Sequence, residues 1–517
     1  MKDLDTHRDL NRSRPLDVHR WSEYPEVNQW VNGFWEEHLE ARFPAAVTGK
    51  KAKKPPKAMF KVLFLDLYVA WLDDPDLSIG ISRDVNAYKV NSRYNALYIS
   101  EKIIDVLDAL LELGFADQYL GSENAGKVTR IWPLPPLIEY FKLAAFAEYA
   151  IDTHEGKETV ILNKKEAVDA DDLDALDDAT KAKTIAIEYE DTDSPVIIPS
   201  RELLRGYHAL LRQAFIDLSC MEQPVVETEY WNGKRKRWET RRVSLKQHNK
   251  FVRRIFYRGD WSLGGRFHGG WWQQIPSALR KFIRINDEIT QELDYSGFHV
   301  SLAYALEGQQ PPEDPYRLAT TLDDFDADTQ RDIVKSLVLM AINAKNEAGA
   351  FKAFRNDWNK TKDKPEVSVK MTDKLLRHLL EVFRAENDVI DLYLCTDKGV
   401  ELMALDGRIT AHIIETFTEL GMPVLTVHDS YVVQQPHQEL LEKTMDEACQ
   451  KELGRSDFKI KPSKTLTPRL IQTLKNQDRT LKDYDYWEAL REQEKVVTGY
   501  TTRYEHFRKW LEDSQED

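Results

Sequence analysis

Cysteine is scarce in this chain, and long apolar runs are missing altogether. Its three cysteines, Cys220, Cys395 and Cys449, are scattered over 517 residues. They are too few for a disulfide framework and too far apart for a zinc cluster, so buried thiols are expected. No stretch of eighteen apolar residues occurs, and no basic segment leads into an apolar one at the start. Neither a membrane span nor a secretory leader is therefore expected, and a cytoplasmic protein is. Basic residues are in deficit too: 72 Lys and Arg face 87 Asp and Glu, a net charge of -15. That balance argues against indiscriminate polyanion binding but allows a local basic cleft, because net charge is not a local field. What remains is globular in composition, 42% hydrophobic, with a length that suits two or three domains.

The first segment, 1–56, mixes Trp21, Trp30, Phe34 and Trp35 with charges and ends in a basic, proline-containing stretch from Lys50 to Lys57 that reads as a linker. Over 57–145 the pattern is helix, helix, hairpin. Ile103, Ile104, Leu107, Leu110 and Leu111 follow the helical period between a capping Ser100 and Gly114. Phe115 to Leu120 and Lys127 to Trp132 then form the two strands of a wing, so the order resembles a winged helix-turn-helix. Asp105, Asp108 and Glu112 on the helix in the recognition position would repel phosphates. Protein contact or scaffolding is the expected role, with nucleic-acid contact through Lys127 and Arg130 as the alternative.

Segment 146–199 is acidic, with Asp169, Asp171, Asp172, Asp174, Asp177 and Asp178 crowded together at no metal-ligand spacing, and reads as a solvated linker. A helix is expected over Ser200 to Leu218. Strand-like runs then flank Asn232-Gly233, a hairpin signal, and the second run is Lys234, Arg235, Lys236, Arg237 and Trp238. Cations interleaved with an aromatic suit a single-stranded backbone with stacked bases, and equally a solvated face.

The span from 200 to 465 carries the chemistry. Ser262-Leu-Gly-Gly-Arg266 runs into Phe267-His-Gly-Gly-Trp-Trp272, a glycine-rich loop with Arg266 available for phosphate or a base edge. Two strands pair across Asn286-Asp287, the second ending at Asp294 before a short helix from Gly297 to Gly308. Asp294 is thus expected at a strand end beside a helix start, with the Tyr295 carbonyl available to a cation. A helix beginning near Asp326 puts Arg331 and Lys335 on one face, about 6 Å apart, which suits neighbouring phosphates, although in isolation the pair reads as an ordinary basic surface. Another, carrying Ile409, Ile413, Phe417 and Leu420, stops at Gly421 and feeds a hairpin with His428-Asp429 at its tip. Two carboxylates so presented, with an Arg and a Lys one turn apart, are what two-metal phosphoryl transfer requires.

In four ordered blocks over Trp261 to Val433, the chain resembles the palm and fingers of the single-subunit polymerases, meaning the family A DNA polymerases and the phage-type RNA polymerases. Ser262-Leu-Gly-Gly-Arg266 is similar to their Thr-x-x-Gly-Arg block, which contacts the primer-template duplex. Asp294-Tyr-Ser is similar to motif A and His428-Asp-Ser430 to motif C, whose aspartates bind two Mg²⁺ ions, with Mn²⁺ able to substitute; the motif C His lies near the primer end. Arg331 and Lys335 are similar to the Arg-x-x-x-Lys of motif B, which holds the triphosphate. The resemblance implies a mixed α+β right-hand core behind the winged-helix-like domain. Nucleic-acid primer and template and nucleoside triphosphates would be its partners, and the N-terminal domain or the 466–517 extension, with Tyr484, Trp487, Tyr500 and Trp510, would be the place for a protein partner.

Departures from the family pattern bear on the substrate. Asp-Tyr-Ser is of the DNA-polymerase type, whereas Ser after His-Asp is of the RNA-polymerase type. His299 stands where a sugar-screening Glu is expected, Asn343 where its aromatic partner is, and Leu339 where an aromatic stacks. Choice between deoxy- and ribonucleotides therefore does not carry over, and poor discrimination is expected. No Asp-x-Glu-led exonuclease domain is visible, so templated DNA synthesis without proofreading is the expectation. Alternatives are a template-independent nucleotidyltransferase, a single-subunit RNA polymerase, a catalytically silent relic, or a non-catalytic winged-helix replication or regulatory protein.

Overall fold

The computed structural model describes residues 8–44, 56–121, 128–146, 148–165, 184–232, 237–322, 325–360, 369–462 and 495–516. The expected acidic cluster Asp169 to Asp178, most of the linker before Lys57, Lys127, the basic residues Lys234, Arg235 and Lys236, and Tyr484 and Trp487 lie outside the described residues. The chain divides into two compact units, one made of Met1–Thr159, Ser244–Phe251 and Glu505–Asp517, the other of Val160–Val243 and Val252–Tyr504. No helix among the described residues is long and apolar enough to cross a membrane.

At the centre of the first unit is the helix Pro56–Asp73, in which every residue from Met59 to Ala70 is buried. A helix apolar all round must be wrapped on all sides. Phe60 and Phe64 share one core with Val31 and Phe34 of Pro25–Phe34, Leu107 and Leu110 of Lys102–Glu112, and Leu137 and Phe141 of Pro135–Ala144. The two charges buried with it are both satisfied, as burial demands. Arg14 grips Asp66 in a fork of 2.7 and 2.8 Å, and Lys61 donates to the Ser22 carbonyl and Asn28 Oδ1, each at 2.6 Å. A four-stranded sheet in the order Ser13–Pro15, Ser78–Ile81, Thr129–Pro133, Ala116–Tyr119 completes the unit. Helix Lys102–Glu112 and the strands after it lie within a residue or two of the expected bounds. Arg130, however, turns inward, its Nε donating to Ser13 Oγ at 2.8 Å and its Nη1 to the Val128 carbonyl.

Two sheets organise the second unit. The larger has six strands in the order Leu425–Val427, Ser430–Gln434, Glu288–Tyr295, Ile283–Ile285, Ile216–Leu218, with Ile460–Pro462 pairing on the end of Glu288–Tyr295. The helix expected over Ser200 to Leu218 is shorter, Ile197–Arg212; the β-branched and apolar end of that run leaves it to pair as an edge strand, Ile283 facing Leu218. The smaller sheet runs Asp260–Gly269, Val252–Tyr257, Val160–Lys165, Thr184–Ala186. Its first strand corrects the expected glycine-rich loop. Gly264 and Gly265, at φ +82° and +79°, form a bulge against Tyr257 and Phe256, and a Cβ on Gly264 would come within 2.2 Å of the Tyr257 ring. Helix Gly399–Glu419 lies directly on that bulge, since a Cβ on Gly407 would sit 2.3 Å from the Gly265 carbonyl oxygen. The helix carrying Arg331 and Lys335, Ala327–Asn343, starts where expected because Asp326 caps it, accepting from the Asp328 and Thr329 amides.

Candidate active site

Strand Glu288–Tyr295 lies inside the six-stranded sheet and alternates as a half-buried strand should. Leu293 and Tyr295 are buried on one face, leaving Glu292 and Asp294 on the other. Antiparallel pairing sets Asp294 opposite Ser430, and the Tyr295 amide donates to the Asp429 carbonyl at 3.3 Å. The two aspartates expected to act together are therefore neighbours across adjoining strands. Asp429 sits in the two-residue tip that joins Leu425–Val427 to Ser430–Gln434, after His428 at φ +57°. Type II′ hairpins demand that sign at the first tip residue and normally place Gly there. A β-carbon in that region costs about 1–2 kcal/mol, and such strain persists where surrounding structure imposes it.

Electrostatics register the crowding. Burial, then the charges of Asp429 and Glu292, push the Asp294 carboxyl up to about 7, against the pull of Lys335 and Arg280. Like charges gathered in a partly desolvated site disfavour ionisation unless a cation joins them. Glu292 is already neutralised: Arg280 holds it from Nε and Nη2 at 3.0 and 2.8 Å, and Ser430 Oγ donates to it at 2.7 Å. Lys335 is different. Its ammonium is exposed, makes no ion pair among the described residues, and acts on Asp294 through space. No group of three or more His, Cys, Asp or Glu able to hold a metal is found among the described residues. Mg²⁺ needs less protein than that, since one or two carboxylates plus substrate phosphates hold it in nucleotide sites. The donor set here, two adjacent aspartates with the Tyr295 backbone beside them, fits that pattern.

Arg266, expected to touch nucleic acid, is committed within the protein. Its Nε bonds the fully buried Asp406, and its Nη2 donates to His299 Nε2 at 2.6 Å. Asp406 in turn takes the Thr410 hydroxyl at 3.3 Å, and burial pushes it up to about 6 despite Arg266. His299 is driven down to about 3 by burial and by Arg266, so it is neutral with Nε2 as acceptor. The two residues expected to form a sugar wall each have an internal partner: His299 has one ring nitrogen occupied, and Asn343 donates to the Leu339 carbonyl at 2.8 Å while its Oδ1 abuts Gly399. Leu339 is half-buried. His428 pairs edge-on with His268, ring centres 6.3 Å apart, and burial lowers both, His268 to about 4.

Compared with models of known families and with curated proteins, the chain matches none. Among solved structures it is similar to the POL domain of Pol1 from M. smegmatis in complex with DNA primer-template and dNTP, at 10% identity and a TM-score of 0.29. That match covers 42% of this chain and 48% of the other, so it spans about half the length of that chain. A likeness of this extent carries no argument about function, which rests on the residues.

Arg331 and Lys335 fall on one helix as expected, but only Lys335 is unpaired: Arg331 Nε donates to Asp314 at 2.5 Å, and its guanidinium lies 5.9 Å from the Tyr316 ring centre. Of the basic hairpin, the described strands are Val225–Asn232 and Arg237–Ser244; Arg237 pairs with Glu239 at 2.9 Å and Trp238 is 37% exposed. Sequence reasoning missed Glu292, Arg280, Asp406, Asp314 and Tyr316. Glu292 was findable, two residues before Asp294 and hence on its face of the strand. The others reach the site from distant segments, and no local signal marks them.

Proposed function

We propose that this chain is a nucleotide polymerase, extending a nucleic-acid 3′-hydroxyl with nucleoside triphosphates by two-metal phosphoryl transfer. The observation that carries this reading is the adjacency of Asp294 and Asp429, set side by side by the pairing of Asp294 with Ser430, with the Asp429 charge helping to raise the Asp294 carboxyl. Two Mg²⁺ ions bound there would activate the 3′-hydroxyl and neutralise charge on the reacting phosphate. Asp294, Asp429 and the Tyr295 carbonyl would hold them. Lys335 would meet the triphosphate, its exposed ammonium standing near Asp294. Arg331 would join it once released from Asp314. His428, neutral and partly buried, would face the primer end, where it can donate or accept one hydrogen bond without adding charge. Arg266 would act by fixing Asp406 and His299 beneath the site, and so the wall against which the sugar lies.

Extension of a labelled primer tests this, with dNTPs and NTPs compared on a defined template, without template, and with Mg²⁺ or chelator. Metal-dependent, template-directed incorporation of both sugars is expected, because neither a Glu nor an aromatic screens the 2′-position. Incorporation indifferent to the template would make the chain a template-independent nucleotidyltransferase, and incorporation indifferent to divalent metal would contradict the reading outright.

A further inference from the structure

Beside the Asp294 strand lies a cavity of about 660 Å³, within the usual range for ligand sites, lined among others by Ser296, Gly297, Tyr316, Arg331 and Lys459. Its cations face a short strap, Pro311-Pro-Glu-Asp-Pro315, whose three prolines restrict the backbone. From that strap Asp314 takes Arg331 Nε at 2.5 Å, and Glu313 lies 3.6 Å from Lys459 Nζ. Two adjacent carboxylates on one rigid turn thus occupy two cations that belong to different elements, the Ala327–Asn343 helix and the segment leading into Ile460–Pro462.

Next to them the Tyr316 side chain is 3% exposed, and its hydroxyl has no hydrogen-bond partner among the described residues. Its ring rests 3.4 Å from where a Cβ on Gly297 would stand, three residues beyond Asp294, and its hydroxyl senses the Asp429 charge. Burial keeps that hydroxyl protonated, so it is a donor awaiting an acceptor. An unsatisfied buried hydroxyl is destabilising, a cost that an anion between Tyr316 and Arg331 would remove. Carboxylate and phosphate oxygens are interchangeable to an arginine fork.

We propose that the Glu313–Asp314 strap is an internal competitor for the polyphosphate of the incoming nucleotide, displaced when a triphosphate takes Arg331, Lys459 and the Tyr316 hydroxyl. The inference rests on the polymerase reading for the identity of the nucleotide, but not for the anion. Ion pairs near the surface are weak individually, so a doubly or triply charged phosphate outcompetes one exposed and one half-buried carboxylate. The strap therefore sets affinity rather than blocking the site, and it keeps Arg331 from holding stray monoanions.

Titration of the full chain with inorganic tripolyphosphate, followed by calorimetry, tests the proposal apart from catalysis. The E313Q/D314N double variant is expected to bind it about tenfold more tightly, and Y316F about three- to tenfold more weakly. Y316F is expected to melt at or above the parent temperature, because it deletes an orphan hydroxyl; a hydroxyl with a merely structural role would lower it. Unchanged or weaker binding by the double variant, or unchanged binding by Y316F, overturns the proposal. The same proteins in the primer-extension assay separate the two claims. The expected binding shifts without incorporation would leave the strap's role standing and remove the polymerase reading, whereas incorporation without the shifts would do the reverse.

Discussion

Lys335 and Arg331 occupy the same helical face, yet the structure treats them differently. Lys335 makes no ion pair among the described residues and acts on Asp294 through space, whereas Arg331 is held by Asp314. An exposed ammonium beside Asp294 is placed to meet the anionic groups of a ligand as a point charge. Lys335→Ala is therefore expected to lower kcat/KM for nucleotide incorporation about a hundredfold or more, with primer-template affinity within about twofold of the parent. Steady-state kinetics set beside a duplex-binding isotherm check this; a fall in duplex affinity of the same size would make Lys335 a template contact. At this scale the sequence spoke clearly where local spacing decides, as for the placement of Asp294, Arg331 and Lys335. It was silent on what each side chain finds in the fold. That His299 Nε2 is filled by Arg266 follows from helix Gly399–Glu419 lying on the Gly264-Gly265 bulge, which brings Asp406 to Arg266. Those contacts join residues far apart in the chain, and no local pattern encodes them.

Among the elements, the Leu425–Gln434 hairpin is the most constrained. Its strands are apolar on both faces, Leu425, Val427, Tyr431, Val432 and Val433 all being buried, and its turn is only His428 and Asp429. A two-residue turn between buried strands leaves no slack, so His428 accepts positive φ for the sake of the position it gives Asp429. Replacing His428 by Gly relieves that strain and replacing it by Ala does not. The Gly variant is expected to be more stable than the Ala variant by about 1 kcal/mol, the reverse of their order in a helix or strand. Chemical denaturation of the two proteins decides, and an Ala variant equal to or above Gly would show that the turn is unstrained. Helices and strands with a clear period, such as Lys102–Glu112, Glu288–Tyr295 and Ala327–Asn343, were legible in advance. The glycine-rich stretch was misread as a loop because bulged strand glycines and loop glycines look alike until the partner strand is known.

In the whole molecule, the division into two units was beyond the sequence, since Ser244–Phe251 joins the first unit from a distant position in the chain. That short segment closes the C-terminal end of the central helix. Lys246 donates to the Leu72 carbonyl at 2.8 Å, Ser244 to Asp73 at 2.9 Å, and His248 Nε2 lies 3.3 Å from Asp73 Oδ2. Cations suit a helix C-terminus. Burial, aided by the Arg20 and Lys246 charges, nevertheless lowers His248 below its ordinary 6.5, so the imidazole is neutral when folded. The unfolded chain then takes up a proton as pH falls through about 6.5 that the folded unit does not, so stability is lost towards acid with a slope of up to about 1.4 kcal/mol per pH unit, ending at the folded pKa. Denaturant unfolding between pH 7.5 and 5 should show this loss, and His248→Asn, weaker at pH 7.5, should lack most of it. A variant retaining the parent slope would place the titration elsewhere.

All of these effects frame one claim, that Asp294 and Asp429 are a metal-binding pair at a catalytic centre. Nucleotide incorporation by Asp294→Asn and Asp429→Asn, measured in the same primer-extension assay with Mg²⁺ alongside thermal melting with and without the metal, tests it most directly. Both variants are expected to lose incorporation to a few per cent of the parent or less. Without metal, Asp294→Asn is expected to melt no lower than the parent, because a carboxyl pushed up to about 7 by its neighbours is a strained charge. Added Mg²⁺ and nucleotide should raise the parent's melting temperature and leave both variants unmoved. Incorporation surviving in either variant, or a metal-induced shift as large as the parent's, would contradict the account.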